Sequence, residues 1–353
     1  MSESSLSRQY CVVALPGEGI GPEVVEAALK ILYSVARLNG FSVKVDYGAI
    51  GNPAYTILGS FCPEATRQLC EGSDGIIFGA VSKGGLLELR KHFDFFANLR
   101  PVRTFDSLLH KASLKAEKLK AVDILFVREL TSGIYFGASR RDEDEKGAYG
   151  YHTMQYYDWE IRRIAKVALQ KANNRRGLLT VAHKENALPY LPWTRLVTEE
   201  AKAFPEVVIE PMLVDNLAMQ LVTNPQHFDV ILASNLFGDI LSDIGGAIVG
   251  SIGLLGSASL NTSGFGMYEA IHGTAPDIAG KGIANPLGTL AGVILMLEQW
   301  GEKEAARSLI QAQEKILANG YRTADLAPQG EEILVNTAEL VELFIQELTS
   351  NKI

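Results

Sequence analysis

Short apolar runs alternate along the chain with segments whose apolar residues recur at helical spacing. The runs at residues 10–15, 75–79, 122–127, 178–182, 207–210 and 230–233 predict strands. Residues 22–38, 160–172, 193–203, 240–250, 286–299 and 302–317 predict helices, the first with Pro22 at its start. That alternation is the signature of an α/β fold with parallel strands. A chain of 353 residues is too long for one ordinary core and predicts two domains. With no internal repeat and no low-complexity linker, the domains should be joined by several chain crossings.

Residues 244–268 carry no charge over 25 positions, long enough to span a bilayer. Eleven of the 25 are Gly or Ser, and Asn261, Thr262 and Ser263 interrupt the apolar character. The stretch therefore predicts a buried helix followed by glycine-rich turns, and no membrane. The start of the sequence has no signal-peptide apolar region, so a cytoplasmic protein is expected. Cys11, Cys62 and Cys70 are odd in number and lack metal or redox spacing, which suits buried thiols in a reducing compartment.

The formal net charge is -8, with both signs interspersed. This gives no support for nucleic-acid binding, and an anionic substrate would need a local basic pocket. Residues 136–157 are the polar exception. Their charges suit a solvated loop, and their tyrosines and Met154 suit a hairpin arm packed on a second subunit.

Candidate chemistry falls in four places. Gly17-Glu18-Gly19-Ile20-Gly21-Pro22 joins a predicted strand to a predicted helix, but Pro22 stands where a dinucleotide fingerprint needs glycine, leaving a tight turn. Asp239 and Asp243 lie four apart on a predicted helix and repel unless a cation sits between them; with Asp215 they could hold Mg²⁺ or Mn²⁺, or simply mark an acidic helix start. Arg90, Arg100 and Arg128 sit beside apolar runs and could fork onto two carboxylates, or make ordinary ion pairs. The glycine-, alanine- and proline-rich segment 272–286 is too irregular for a helix or strand. With His272, Asp277 and Asn285 it suits a nucleotide site or a plain connector.

The motifs GEGIGPEV, LRKHFDFFANLRP, VRELTSGIYFG, HKEN, VDN, FGDILSD and HGTAPDIAGKGIANP, in this order, resemble the β-decarboxylating dehydrogenases of the isopropylmalate and isocitrate family over about residues 10–345. The resemblance implies a two-domain α/β fold, a mixed parallel sheet flanked by helices and distinct from the Rossmann fold. Residues 1–98 and 251–353 would form a cofactor-binding domain. Residues 99–250 would form a central domain carrying the dimer interface and the arm. It also implies a homodimer with shared active sites acting on a small substituted malate.

By the same resemblance, Arg90, Arg100 and Arg128 hold the malate carboxylates, while Leu86, Leu87 and Ala187 meet the substrate's side chain. Asp239 and Asp243 bind Mg²⁺ or Mn²⁺ with Asp215 of the partner subunit. Lys184 of the partner subunit acts with that aspartate as base, a role that needs cations or burial to lower its pKa. Tyr135 is the later general acid. NAD would be held by Asn186, Glu269, His272, Gly273, Thr274, Ala275, Asp277, Ile278 and Asn285. The Asp277 carboxylate would accept from the adenosine ribose and repel a 2′-phosphate, favouring NAD over NADP.

Four positions depart from the family pattern. Glu18 replaces an aspartate, Ala187 a valine, the 80–85 loop is shorter, and Lys83 falls near an expected glutamate. VREL, GIYFG and the two leucines point to the isopropylmalate branch, whereas HKEN and VDNLAMQLV lean toward homoisocitrate enzymes. Ala187 and the short loop together predict room for a bulkier substituent, such as that of 3-benzylmalate. A non-catalytic regulatory subunit is disfavoured, because the expected catalytic and metal residues are all present.

Overall fold

The computed structural model describes residues 8–350. Twelve strands concern the site: β1 (Arg8–Gly17), β2 (Phe41–Tyr47), β3 (Gly75–Ala80), β4 (Ala97–Arg103), β5 (Asp123–Glu129), β6 (Ser139–Asp144), β7 (Gly147–His152), β8 (Leu178–His183), β9 (Val208–Leu213), β10 (Val230–Ala233), β11 (Gly256–Leu260) and β12 (Gly266–Ala270). Ten form one sheet in the order β2-β1-β3-β12-β11-β4-β5-β10-β8-β9. β11 runs antiparallel to β12 and β4, and β4 antiparallel to β5, while the other pairs are parallel. One half of the sheet thus combines the start of the chain with residues from beyond 250, and the other half comes from its middle.

All six predicted strands are present. The expected glycine-rich turns after residue 250 are corrected: β11 and β12 lie there, every residue buried. Small residues are required because the helix Leu287–Gln299 packs directly onto them. A Cβ on Gly256 would stand 2.5 Å from the Gly292 amide nitrogen. The predicted helix at 240–250 begins earlier, at Asn235, and runs to Val249. It lies over β4 and β5. Among the described residues no helix is long and apolar enough to cross a membrane.

Among the described residues β6 and β7 pair only with each other, and they are almost wholly exposed, including Tyr149 and Tyr151. Two-stranded hairpins of this kind are marginal alone in water. At its base, Tyr156 and Met154 turn inward rather than outward. Tyr156 is buried and accepts a hydrogen bond from the Asn235 amide at 2.9 Å, while Met154 packs on the main core. All three cysteines are free, Cys62 and Cys70 buried and Cys11 half-buried.

Candidate active site

The site is built on the alternation of β4 and β5. Successive side chains of a strand point to opposite faces, so Asn98, Arg100 and Val102 share one face and Leu99, Pro101 and Arg103 the other. The register pairs Asn98 with Arg128. The helix Asn235–Val249 covers the first of these faces so closely that a Cβ on Gly238 would lie 2.6 Å from the Arg128 Cγ.

Each guanidinium is braced. Arg100 donates from Nε to the Asn98 Oδ1 at 2.9 Å and from Nη1 to the Ser242 Oγ at 2.8 Å, and stands 3.4 Å from Asp243 and 3.7 Å from Asp239. Arg128 donates from Nη2 to the Asn235 Oδ1 at 2.8 Å and ion-pairs with Asp239 through Nη1. Arg90, on the short helix Leu86–His92, pairs with Glu269 at 3.3 Å and keeps a buried Nε without a partner among the described residues. Burial pushes Arg128 down to about 10 and also lowers Arg100. At about 10 Arg128 stays cationic at neutral pH, and a guanidinium such as that of Arg100 keeps its proton in proteins.

These three arginines line one cavity of about 380 Å³ together with Tyr135 and Asp239. Leu86 and Leu87 form an apolar patch of its wall, and Leu87 is 58% exposed. Tyr135 donates to the Asp239 Oδ2 at 3.1 Å. Burial first, and then the Asp239 charge, raise its pKa, so the hydroxyl keeps its proton above the ordinary tyrosine range. Asp239 and Asp243 do share a helix face, and the cation between them here is Arg100.

Lys184 and Asp215 are brought together, 2.5 Å apart, but away from this cavity. The Lys184 interaction holds the Asp215 carboxyl below its ordinary range. Asn186 and Ala187 lie exposed in the turn after Lys184, whose carbonyl accepts from the Ala187 amide at 2.9 Å. Within one chain, therefore, Ala187 does not join Leu86 and Leu87. Among the described residues no group of three His, Cys, Asp or Glu side chains is placed to hold a metal.

The 272–286 segment starts at the cavity wall with His272 and Gly273 and runs outward. The His272 Nδ1 donates to the Gly273 carbonyl at 3.0 Å, and burial lowers the ring's pKa. The neutral ring then presents Nε2 as an acceptor, and that atom is buried without a partner among the described residues. The Thr274 carbonyl accepts from the Ile20 amide at 2.9 Å, docking the first glycine turn on this loop. Ala275 holds a left-handed φ of 41° and its carbonyl accepts from the Ile278 amide. Asp277 is exposed, with no hydrogen bond or ion pair among the described residues. Ile278 instead packs toward Ile20, Val24 and Ala284. Asn285 is buried and engaged by Asp325 and the Leu287 amide, so its side chain braces the loop.

Sequence reasoning missed the bracing residues Asn98, Asn235 and Ser242. The i,i+2 spacing of Asn98 and Arg100 was the available signal. Glu18 has a definite task as well: it accepts from the Ser82 amide at 2.7 Å, the Ser82 hydroxyl at 2.8 Å and Asn52 at 3.2 Å, tying the glycine turn to the short loop. Lys83 stands 5.8 Å from the Phe61 ring centroid.

The donor set fits the groups the resemblance implies. Asp239 and Asp243 offer hard carboxylate oxygens with side chains 37% and 65% exposed, suited to Mg²⁺ or Mn²⁺ once further ligands are supplied. The orphaned Arg90 Nε suits an anionic ligand, and the orphaned His272 Nε2 a hydroxyl or amide donor.

A family profile described as isocitrate/isopropylmalate dehydrogenase matches residues 11–344. The 3-isopropylmalate dehydrogenase of Aquifex aeolicus is 42% identical, over 97% of this chain and 98% of its own. That of Halalkalibacterium halodurans is 45% identical, over 91% and 93%. The crystal structure of isocitrate dehydrogenase from Methylococcus capsulatus superposes with a TM-score of 0.85 at 30% identity, covering 96% of this chain and 99% of that one. A β-decarboxylating dehydrogenase from Thermococcus kodakarensis gives 0.81 at 31% identity, covering 97% and 96%. Fold and sequence define an oxidoreductase that decarboxylates a small molecule as it oxidises it. The chain belongs to the isocitrate/isopropylmalate dehydrogenase family.

Proposed function

We propose that the protein oxidises and decarboxylates a malate carrying an apolar substituent at C3, of the 3-isopropylmalate type, with NAD as hydride acceptor and Mg²⁺ or Mn²⁺ as resident cation. The observation that carries the reading is the convergence of Arg90, Arg100 and Arg128 on one cavity whose remaining wall includes Leu86 and Leu87. Three guanidiniums match two carboxylates. Two leucines favour an apolar substituent over a third carboxylate, because an anion there would be desolvated against them. Ala187, brought to the cavity from the partner subunit along with Lys184, and the short 80–85 loop favour a substituent larger than isopropyl, such as benzyl.

When bound, nicotinamide supplies a hydride acceptor and the divalent cation a Lewis acid. The arginines hold the carboxylates and fix the C2–H and C3 positions. Lys184 of the partner subunit, in its neutral amine form beside Asp215 of the partner subunit, takes the C2 hydroxyl proton and becomes the ammonium. Tyr135 delivers a proton to C3 after carbon dioxide leaves. His272 and Asp277 receive the cofactor, the latter on the adenosine ribose. Sharing residues between subunits accounts for the separation of Lys184 and Asp215 from the cavity, and the exposed β6–β7 hairpin would be the arm that holds the homodimer. The residues 1–98 plus 251–353 and 99–250 serve as the two domains. Three free thiols fit the cytoplasm.

The test is a steady-state panel of 3-substituted malates, with isopropyl, benzyl and carboxyalkyl substituents, each assayed with NAD⁺ and NADP⁺ in the presence of Mn²⁺. Turnover of the apolar members with NAD⁺ is expected, benzyl at least equalling isopropyl. Preference for a tricarboxylate such as homoisocitrate would show that Lys83 outweighs the leucines. Preference for NADP⁺ would remove the role of Asp277.

A further inference from the structure

The reverse face of β4 and β5 carries a second cavity, of about 790 Å³, roughly twice the volume of the first. Its lining includes Leu99, Pro101 and Arg103 of β4 and Asp123 and Leu125 of β5, the positions that alternate with Arg100 and Arg128. The helix Asp158–Asn173 forms one wall through Lys171. The helices Leu287–Gln299 and Lys303–Ala318 form the other through Ile294, Leu295, Glu298 and Lys303. The volume is that of a small-molecule site, and its floor is apolar.

The charges above that floor are unevenly satisfied. Arg175 pairs with Asp123 and Asp229, Arg103 with Glu314 and Arg307 with Glu304. Lys171 and Lys303 make no hydrogen bond or ion pair among the described residues. Glu298 is near enough to act on Lys171 through space but forms no pair with it. Burial lowers Lys171 and raises Glu298, so in each case desolvation outweighs the opposing charge. Two ammonium groups and one carboxylate, Glu298, are thus left unpaired over the apolar floor among the described residues, a net positive charge complementary to an anion attached to an apolar body.

We propose that this rear cavity is a second ligand site for a small organic anion, a carboxylate or sulfonate on a compact apolar body, with Lys171 meeting the charged group and Leu99, Ile294 and Leu295 the apolar part. The inference is independent of which malate the front cavity takes.

The probe is 8-anilino-1-naphthalenesulfonate, titrated by fluorescence and by calorimetry into the full chain. One site per chain is expected. Lys171→Glu should weaken binding by at least about tenfold. Leu295→Trp, which fills the cavity, should abolish it. Arg90→Ala, in the front cavity, should leave it unchanged. Circular dichroism and thermal unfolding establish that each variant is folded, and Lys171→Glu decides alone if Leu295→Trp is not. Parental affinity in a folded rear variant, or loss of binding in folded Arg90→Ala, overturns the proposal.

Discussion

Tyr135 donates its hydroxyl hydrogen to Asp239 at 3.1 Å, and the other oxygen of that carboxylate is gripped by Arg128. The acid and the metal-ligand candidate therefore share one anchor, and the phenol stays protonated because burial and the Asp239 charge both oppose its ionisation.

Tyr135→Phe should lower kcat by about 10²–10⁴, the range for losing a general acid, with little change in KM. Because the folded pKa lies above the ordinary 10.0, the parent should show no loss of kcat from this group until the pH exceeds that value. Rapid kinetics across pH 7–10 check both points. Near-parental turnover in the variant would assign the protonation elsewhere.

Asp243→Asn should raise the Mn²⁺ concentration for half-maximal activation while the fold persists, since one anionic ligand is removed and Arg100 keeps an oxygen acceptor 3.4 Å away but loses that acceptor's charge. Isothermal titration with Mn²⁺ alone gives a second readout free of turnover. Superimposable titration curves for variant and parent would remove Asp243 from the metal site.

Asp215→Asn and Asp239→Asn chains should each be inactive alone and regain activity when mixed. If sites are shared across a two-fold dimer, a mixed dimer has one site with both aspartates and one with neither. Random exchange should restore about a quarter of parental activity. Continued inactivity, with mixed dimers verified by mass spectrometry, would mean that Asp215 does not serve the neighbouring site.

Asp277→Lys should move the ratio of kcat/KM for NAD⁺ and NADP⁺ toward NADP⁺ by replacing a repelling charge with an attracting one. Asp277 is exposed and makes no hydrogen bond or ion pair among the described residues, so the change disturbs no packing there. Adding Ile278→Tyr should cost stability, because Ile278 packs toward Ile20 and Val24. An unchanged ratio in the single variant would place Asp277 away from the ribose.

What could be read from sequence depended on whether the relevant periodicity was local. Asp239 and Asp243 share a helix face by spacing alone, and the α/β alternation follows from runs of six or so residues. β11 and β12 were hidden because GSASL and GMYEA look like turns. Their small residues answer to the Leu287–Gln299 helix pressed against them, a partner that local pattern does not contain. The bracing of Arg128 by Asn235 spans 107 residues of chain and leaves no local trace. The distance of Ala187 from Leu86 and Leu87 left no local trace either, since it depends on the path of the whole sheet, whereas the separation of Lys184 and Asp215 from this chain's own cavity was implied by the resemblance.

The order of strands in the sheet also bears on how the protein is made. β3, six consecutive buried residues, is closed on one side by β1, but its other neighbour is β12, paired through Ile76 and Met267. During synthesis the ribosome must travel from Ala80 past Gly266 before that edge can be covered, which takes roughly ten to forty seconds. For that interval the edge of β3 away from β1 has no mate, and an open strand edge is a template for neighbouring polypeptides. Only when β12 emerges is that edge closed.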